Sequence, residues 1–526
     1  MQPSINYRLR TITTVSALVA ARKRSDIYLF IAIFIIVFSL TPLLITGGLA
    51  GGPAIALGGL VSLIVAVLIV LWPVVGFYVV ALCTLLVDQS PLLIPVLTDR
   101  LNIFYWPPGL EGLIERPIGF LFIFILLTAA CRRILSHQRP LQGGKLFWPF
   151  LCYFLCALGG VAHGLINGGD FKIIVIEIRP FWYMFISYLI AYNLVTCKRQ
   201  IYLFFWFVIL SAGVKALQGL YIYLIFLHGS LAGHREIMSH EESFFFVSLL
   251  VLLILFYLHH RYRPQLRIIL LILPCVIVAL VANQRRADYI ALLVGLAAIW
   301  LLIFCLKPHA RKKLLTLMLI CVVLGVSYIV AFANSTGGIG APAHAIVSIF
   351  RPDAQNASSN MYRTIENYDL KYTAKQNPLL GFGFGTKFLQ PLRLADIFQR
   401  DRNYLYIPHN TVYWIWMRLG LIGFFALWYL FGTAITRAGM IVRSLRDPYL
   451  QLAAIYIVGV IFIEIVVAYG DYQFFFFRNV IYIGLLTGIL MKLPALDENE
   501  RERETAHEAT HSMSSPAVPN GRGRYT

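Results

Sequence analysis

Residues 268–284 read IILLILPCVIVALVANQ, and after Arg285-Arg286 residues 287–306 read ADYIALLVGLAAIWLLIFCL, with Asp288 as the sole charge in either run. At the 1.5 Å rise of an α-helix, each run is long enough to approach or cross a hydrocarbon layer of roughly 30 Å. Backbone polar groups in hydrocarbon must be bonded within their own segment, so the two runs predict two transmembrane helices joined by a pair of arginines.

The same reading extends along the chain. Apolar runs lie near 27–47, 54–72, 74–88, 117–131, 146–166, 174–195 and 201–226. Others lie near 243–258, 268–284, 287–306, 314–333, 410–434, 450–469 and 474–491. The expectation is an all-α, polytopic transmembrane bundle of about 12 to 14 spans. Composition agrees, because 59% of the 526 residues are hydrophobic, 13% are charged and the mean hydropathy is +0.75, which excludes an ordinary soluble domain.

The formal net charge of +19 admits nucleic acid, anionic lipid or a topological bias. Its distribution favours topology. Basic residues fall in alternate connections, at Arg132 to Lys145, Lys198-Arg199, Arg261 to Arg267, Lys307 to Lys313 and Arg437 to Arg446, and in both tails. The positive-inside rule then puts both termini in the cytoplasm, and no nucleic-acid partner is needed to explain the charge. The segment Asp88 to Arg116, with Asp88, Asp99, Glu111 and Glu115, falls outside. No cleavable signal peptide is read in residues 1–26, a basic cytoplasmic stretch, so the first apolar run is expected to stay as an anchor.

The expected organisation is a cytoplasmic N-terminus (1–26), helices over 27–333, an outer functional loop over 334–409, further helices over 410–492 and a disordered cytoplasmic tail over 493–526. The eight cysteines sit in or beside apolar runs without a Cys-x-x-Cys pair, and Cys152 and Cys156, one turn apart, read as packing residues. No metal ligand set is read from them. Aromatic residues make up 14% of the chain, which an interfacial belt explains.

A connection as long as 334–409 is rare unless it is functional or folds by itself. Within it, SSNMYRTIENYDLKYTAKQ (358–376) places Met361, Ile365, Tyr368 and Tyr372 at helical spacing, predicting a short amphipathic helix at the outer membrane surface. The stretch NPLLGFGFG (377–385) follows. Its alternate glycines, Gly381, Gly383 and Gly385, suit either a turn that approaches phosphate or a plain structural turn.

Pro408-His409-Asn410 opens the next apolar run, with Asn410 a candidate cap. His409 is either an interfacial residue at a helix start or a general base. Arg285, Arg286, Arg363, Arg235 and Arg179 occur at or near outer helix ends, where guanidinium groups can hold phosphate or reach lipid head groups. Lys215 lies mid-segment and can pair with an acid inside the bundle or line a polar cavity.

Three stretches together resemble one family, the O-antigen ligase and polymerase-like membrane proteins that handle polyprenyl-linked glycans in bacterial envelopes. They are Asn283 to Gly295; Arg363 with Asn377-Pro378-Leu379-Leu380-Gly381-Phe382-Gly383-Phe384-Gly385; and His409-Asn410 with Leu419-Gly420-Leu421-Ile422-Gly423. The likeness covers roughly residues 230 to 435 in order, spacing and side of the membrane.

This resemblance implies a membrane glycosyltransferase of the C-type fold in the bacterial inner membrane. It would move a glycan from undecaprenyl pyrophosphate to a sugar hydroxyl on a lipid, polymer or protein, as in lipopolysaccharide or exopolysaccharide assembly. By the same resemblance His409 would activate the acceptor, and Arg286, Arg285, Arg363 and Arg235, with Gly381, Gly383, Gly385 and Asn410, would bind substrate. Neither a metal nor a nucleotide cofactor is implied. A transporter or flippase of lipid-linked glycan, and a non-catalytic envelope assembly protein, are the alternatives.

Overall fold

The computed structural model describes residues 53–89, 103–104, 115–230, 236–259, 263–306, 308, 311–333, 340–351, 354–397 and 402–514. Among these residues the secondary structure is helical, with no strand. The expected span at 27–47 lies outside the described residues. The chain forms two compact units, one of Met1–Val80 with Leu121–Leu141 and one of Ala81–Phe120 with Gln142–Thr526.

The first unit holds helix α1 (Pro53–Leu71), the start of α2 (Val74–Leu86) and much of α3 (Pro117–Leu135). Within it the Arg132 guanidinium donates to the Leu71 carbonyl at 2.8 Å, supplying a partner for an otherwise open helix end.

The second unit holds α4 (Phe147–Ile166), α5 (Phe171–Leu194), α6 (Lys198–Tyr221, continued by a π turn over Ile222–Phe226), α7 (His240–His259), α8 (Arg263–Ala282) and α9 (Arg286–Leu306). It continues with α10 (Arg311–Phe332), α11 (Ala341–Phe350), α12 (Ala354–Gln376), α13 (Thr411–Ser444), α14 (Pro448–Gly470) and α15 (Phe477–Ser514). Among the described residues, ten helices are long and apolar enough to cross a membrane, and shorter apolar stretches occupy Leu60–Leu71, Val74–Leu86 and Met318–Phe332. The chain is therefore a multi-pass helical membrane protein.

Helix α9 shows how such helices pack without a hydrophobic drive between them. Ala291, Gly295, Ile299 and Ile303 recur every four residues and are buried, while Leu293 and Leu301 face outward. The buried row lies on α14, where Gly459 takes Ile299 so closely that a β-carbon there would fall 2.5 Å from its Cδ1.

Successive spans alternate in direction, so the starts of α5, α7, α9, α13 and α15 gather at one end with the finishes of α4, α6, α8 and α14. The other end carries Lys145, Lys198, Arg199, Arg443 and Arg446, and there Lys198 pairs with Asp447, the cap of α14. Residues of the expected disordered tail are helical instead: α15 runs to Ser514. Asp497 is 3% exposed, and its carboxylate accepts the Asp447 N–H at 2.9 Å and pairs with Arg501, anchoring the extension.

The long connection before α13 is largely folded as well. The helix expected at 358–376 is α12, which begins four residues earlier at Ala354 and packs on α13. Its apolar stripe of Met361, Tyr368 and Tyr372 is exposed, as the amphipathic reading requires.

Candidate functional site

Asn410 starts α13: its side-chain oxygen accepts the Tyr413 N–H at 3.1 Å, as an N-cap does, and it is 2% exposed. The cap places His409, the preceding residue, against α12. There the Glu366 carboxylate accepts the His409 backbone N–H at 3.1 Å and lies 3.1 Å from Nδ1.

An ionised carboxylate only accepts, so this contact assigns the hydrogen of a neutral ring to Nδ1 and leaves Nε2 with a free lone pair. Tyr362 and Tyr472 meet the ring edge-on, with centroids 5.7 and 5.8 Å away. The His409 side chain stays 24% exposed, whereas that of Glu366 is 1% exposed. The imidazole is thus braced from within and open to the outside.

Helix α12 also reaches the arginine pair. Arg286, the first residue of α9, donates from Nη2 to Asn360 Oδ1 at 3.1 Å. Asn360, Arg363 and Glu366 are spaced by three, so they climb one side of α12 with Arg363 between the Arg286 contact and the His409 contact. Arg363 is half-buried and makes no hydrogen bond or ion pair with a described residue. One helix face therefore gathers His409, Arg363 and Arg286.

Arg285 goes elsewhere. Its guanidinium pairs with Glu236 at 2.8 Å and with Asp471 at 3.6 Å, beside His240. Adjacent residues at a helix start diverge by roughly 100°, which explains why two neighbouring arginines serve different partners. Arg235 lies outside the described residues. Arg179 is buried within α5 rather than placed at an outer end.

The glycines at 381, 383 and 385 are packed against protein. All three have φ between +72° and +76°. Their N–H groups are directed to protein acceptors: Gly381 to the Asn377 carbonyl, Gly383 to the Arg418 carbonyl and Gly385 to the Glu177 carboxylate. No donor of the three is left for a phosphate. The turn plugs a break in α13 at Gly420 (φ +63°), where Phe382 N–H reaches the Met417 carbonyl and Leu421 N–H reaches Pro378. The two glycine motifs are halves of one joint.

Beneath that joint lies an ion pair that sequence reasoning missed. Arg418 and Glu177 are fully buried and meet at 2.8 Å. The guanidinium also donates to the Thr386 hydroxyl and to the Gly383 and Tyr406 carbonyls, and Trp414 donates to Glu177 at 3.0 Å. The loop between α12 and His409 is held from below by this hub.

Lys215 does pair with acids inside the bundle. It meets Asp88 at 2.6 Å and Glu242 at 3.3 Å, and Glu242 and Glu241 are shared with Arg478. Arg478 further donates to the Thr84 and Leu85 carbonyls, so the cluster ties the end of α2 to α15. Glu366, Tyr472 and His240 are the other members of this region that were not anticipated. Among the described residues, no group of three His, Cys, Asp or Glu side chains is arranged to hold a metal ion.

A multi-pass helical bundle with a carboxylate-braced histidine and nearby arginines at one end defines the class. Residues 270–429, which contain Arg285, Arg286, Arg363, Glu366 and His409, match a family model described as O-antigen ligase. Over that segment the chain is similar to the O-antigen ligase family of membrane proteins. No curated protein matches it.

Proposed function

We propose that this chain transfers a glycan from a polyprenyl diphosphate carrier, of the undecaprenyl type, to a hydroxyl acceptor on the non-cytoplasmic side of the bacterial inner membrane. The observation that carries the reading is the face of α12, which braces His409 through Glu366, meets Arg286 through Asn360 and presents Arg363 between them. Its side of the membrane is supported by the basic residues at the opposite end of the bundle.

In the proposed step His409 Nε2 takes the acceptor hydroxyl proton while that oxygen attacks the anomeric carbon. The bond from that carbon to the diphosphate oxygen breaks, and the diphosphate leaves with the electron pair. Arg286 and Arg363 offset the charge that gathers on it, through guanidinium contacts suited to phosphate oxygens. The leaving group is already good, so placement and proton removal are the main demands on the protein.

Purified full-length protein, supplied with a lipid-linked glycan and a sugar acceptor, should form the new glycoside and release one polyprenyl diphosphate per transfer. Movement of intact glycolipid between leaflets without release would identify a transporter instead. Neither release nor movement would identify an assembly role.

A further inference from the structure

His240 is the first residue of α7 and lies beside the arginine–carboxylate group around Arg285. Its Nδ1 is 2.8 Å from Asp471 Oδ2 and its Nε2 is 2.8 Å from Glu236 Oε2. Carboxylates accept and do not donate, so both contacts are satisfied when both ring nitrogens carry hydrogen. A ring tethered at both nitrogens can neither flip nor swing.

Tyr472 sits between this ring and the base. Its centroid is 6.0 Å from His240 and 5.8 Å from His409. Asp471, which holds His240 through Oδ2, accepts the Tyr472 backbone N–H through Oδ1 at 3.0 Å. Phe476 packs on both Tyr472 and His240, at 5.1 and 5.9 Å. The Asp471 carbonyl also accepts the Thr411 hydroxyl at 3.0 Å, two residues beyond His409.

The geometry points to His240 as a positioning residue for His409, acting through Tyr472 without touching the reacting atoms. Glu366 fixes the His409 ring at Nδ1 and Tyr362 closes one side. Tyr472 closes another, and its own place is set by the Glu236–His240–Asp471 chain. Catalytic groups held loosely by their supporting residues lose rate even when every reacting group is present. Only the effect on transfer rests on the base role proposed for His409; the effect on the ring itself does not.

The test uses full-length protein in nanodiscs with His240→Gln, Tyr472→Leu, Tyr472→Phe and the double variant His240→Gln/Tyr472→Leu. His240→Gln and Tyr472→Leu should each lower kcat by about 10- to 100-fold with the donor KM little changed. The double variant should be no worse than Tyr472→Leu alone, because both act through one contact. Tyr472→Phe, which keeps the ring, should restore most of the rate. Carbethoxylation of His409 by diethyl pyrocarbonate, read by mass spectrometry, should be severalfold faster in His240→Gln and in Tyr472→Leu.

Losses that multiply in the double variant, or His409 labelling unchanged in Tyr472→Leu, would overturn the positioning role. Labelling needs no turnover, so it decides the point even if the wild-type protein proves not to transfer glycan. Should His240→Gln fail to fold, the Tyr472→Leu and Tyr472→Phe pair decides it by labelling alone.

Discussion

Glu366 is joined to His409 twice, by accepting its backbone N–H at 3.1 Å and by facing its Nδ1 at 3.1 Å. The first contact places the residue and the second orients its ring. Replacing the carboxylate by an amide of the same shape keeps one acceptor but removes the charge that favours the imidazolium formed during proton transfer. Glu366→Gln should therefore lower kcat by about 10- to 100-fold while leaving thermal stability close to wild type, read by transfer rate and by melting of the purified protein.

The arginines should separate in function. Arg363→Lys keeps a charge but loses the planar fork, so the apparent affinity for the diphosphate donor should fall about tenfold, with Arg286→Ala losing at least as much. Arg285→Ala, which leaves Glu236 and Asp471 in contact with His240, should change donor affinity less than either. Donor KM across the three variants checks the order.

The glycine joint should be intolerant of side chains for a reason that has nothing to do with substrate. A β-carbon on Gly383 would fall 2.2 Å from the Gly164 nitrogen, and one on Gly420 would fall 2.0 Å from the Leu379 carbonyl oxygen. Both glycines also hold a left-handed backbone. Gly383→Ala or Gly420→Ala should cost at least about 1–3 kcal/mol each, seen as a lower melting temperature and less folded protein in detergent.

The Arg418–Glu177 pair should respond asymmetrically. Removing one partner, as in Glu177→Leu, leaves a buried charge without its counterion and should cost about 3–5 kcal/mol. The double change Arg418→Met/Glu177→Leu should be better tolerated than either single change. Melting curves for the two singles and the double form the cycle that checks it.

How much of this was legible in advance depended on whether the deciding fact was local. Ten of the spans were, among the described residues, because hydrophobic length is a property of each segment alone, and so was α12, because the spacing of Met361, Tyr368 and Tyr372 repeats within a few turns. His409 stood out by residue type and by its place at the head of α13. Glu366 did not, since it lies 43 residues away in sequence and a glutamate in RTIENYDL reads as an ordinary solvated charge.

The surroundings of the glycines were hidden for a related reason. Whether a Gly-x-Gly-x-Gly turn approaches a ligand or a helix depends on where its N–H groups point, and here that is decided by Met417, Arg418 and Glu177, far along or back in the chain. Arg285 and Arg286 were indistinguishable as neighbours and separate only once Glu236, Asp471 and Asn360 are placed around them. The tail after Asp497 has the composition of a disordered segment, but continuity with a packed apolar helix and the contacts of Asp497 with α14 carry it to Ser514 as helix.

The most direct measurement is single-turnover transfer by purified His409→Ala beside wild type, with a lipid-linked glycan in excess and polyprenyl diphosphate release as the readout. The expected result is a folded variant with wild-type melting behaviour and release reduced by at least about 100-fold. Release at the wild-type rate from that variant would contradict the assignment of His409 as the base.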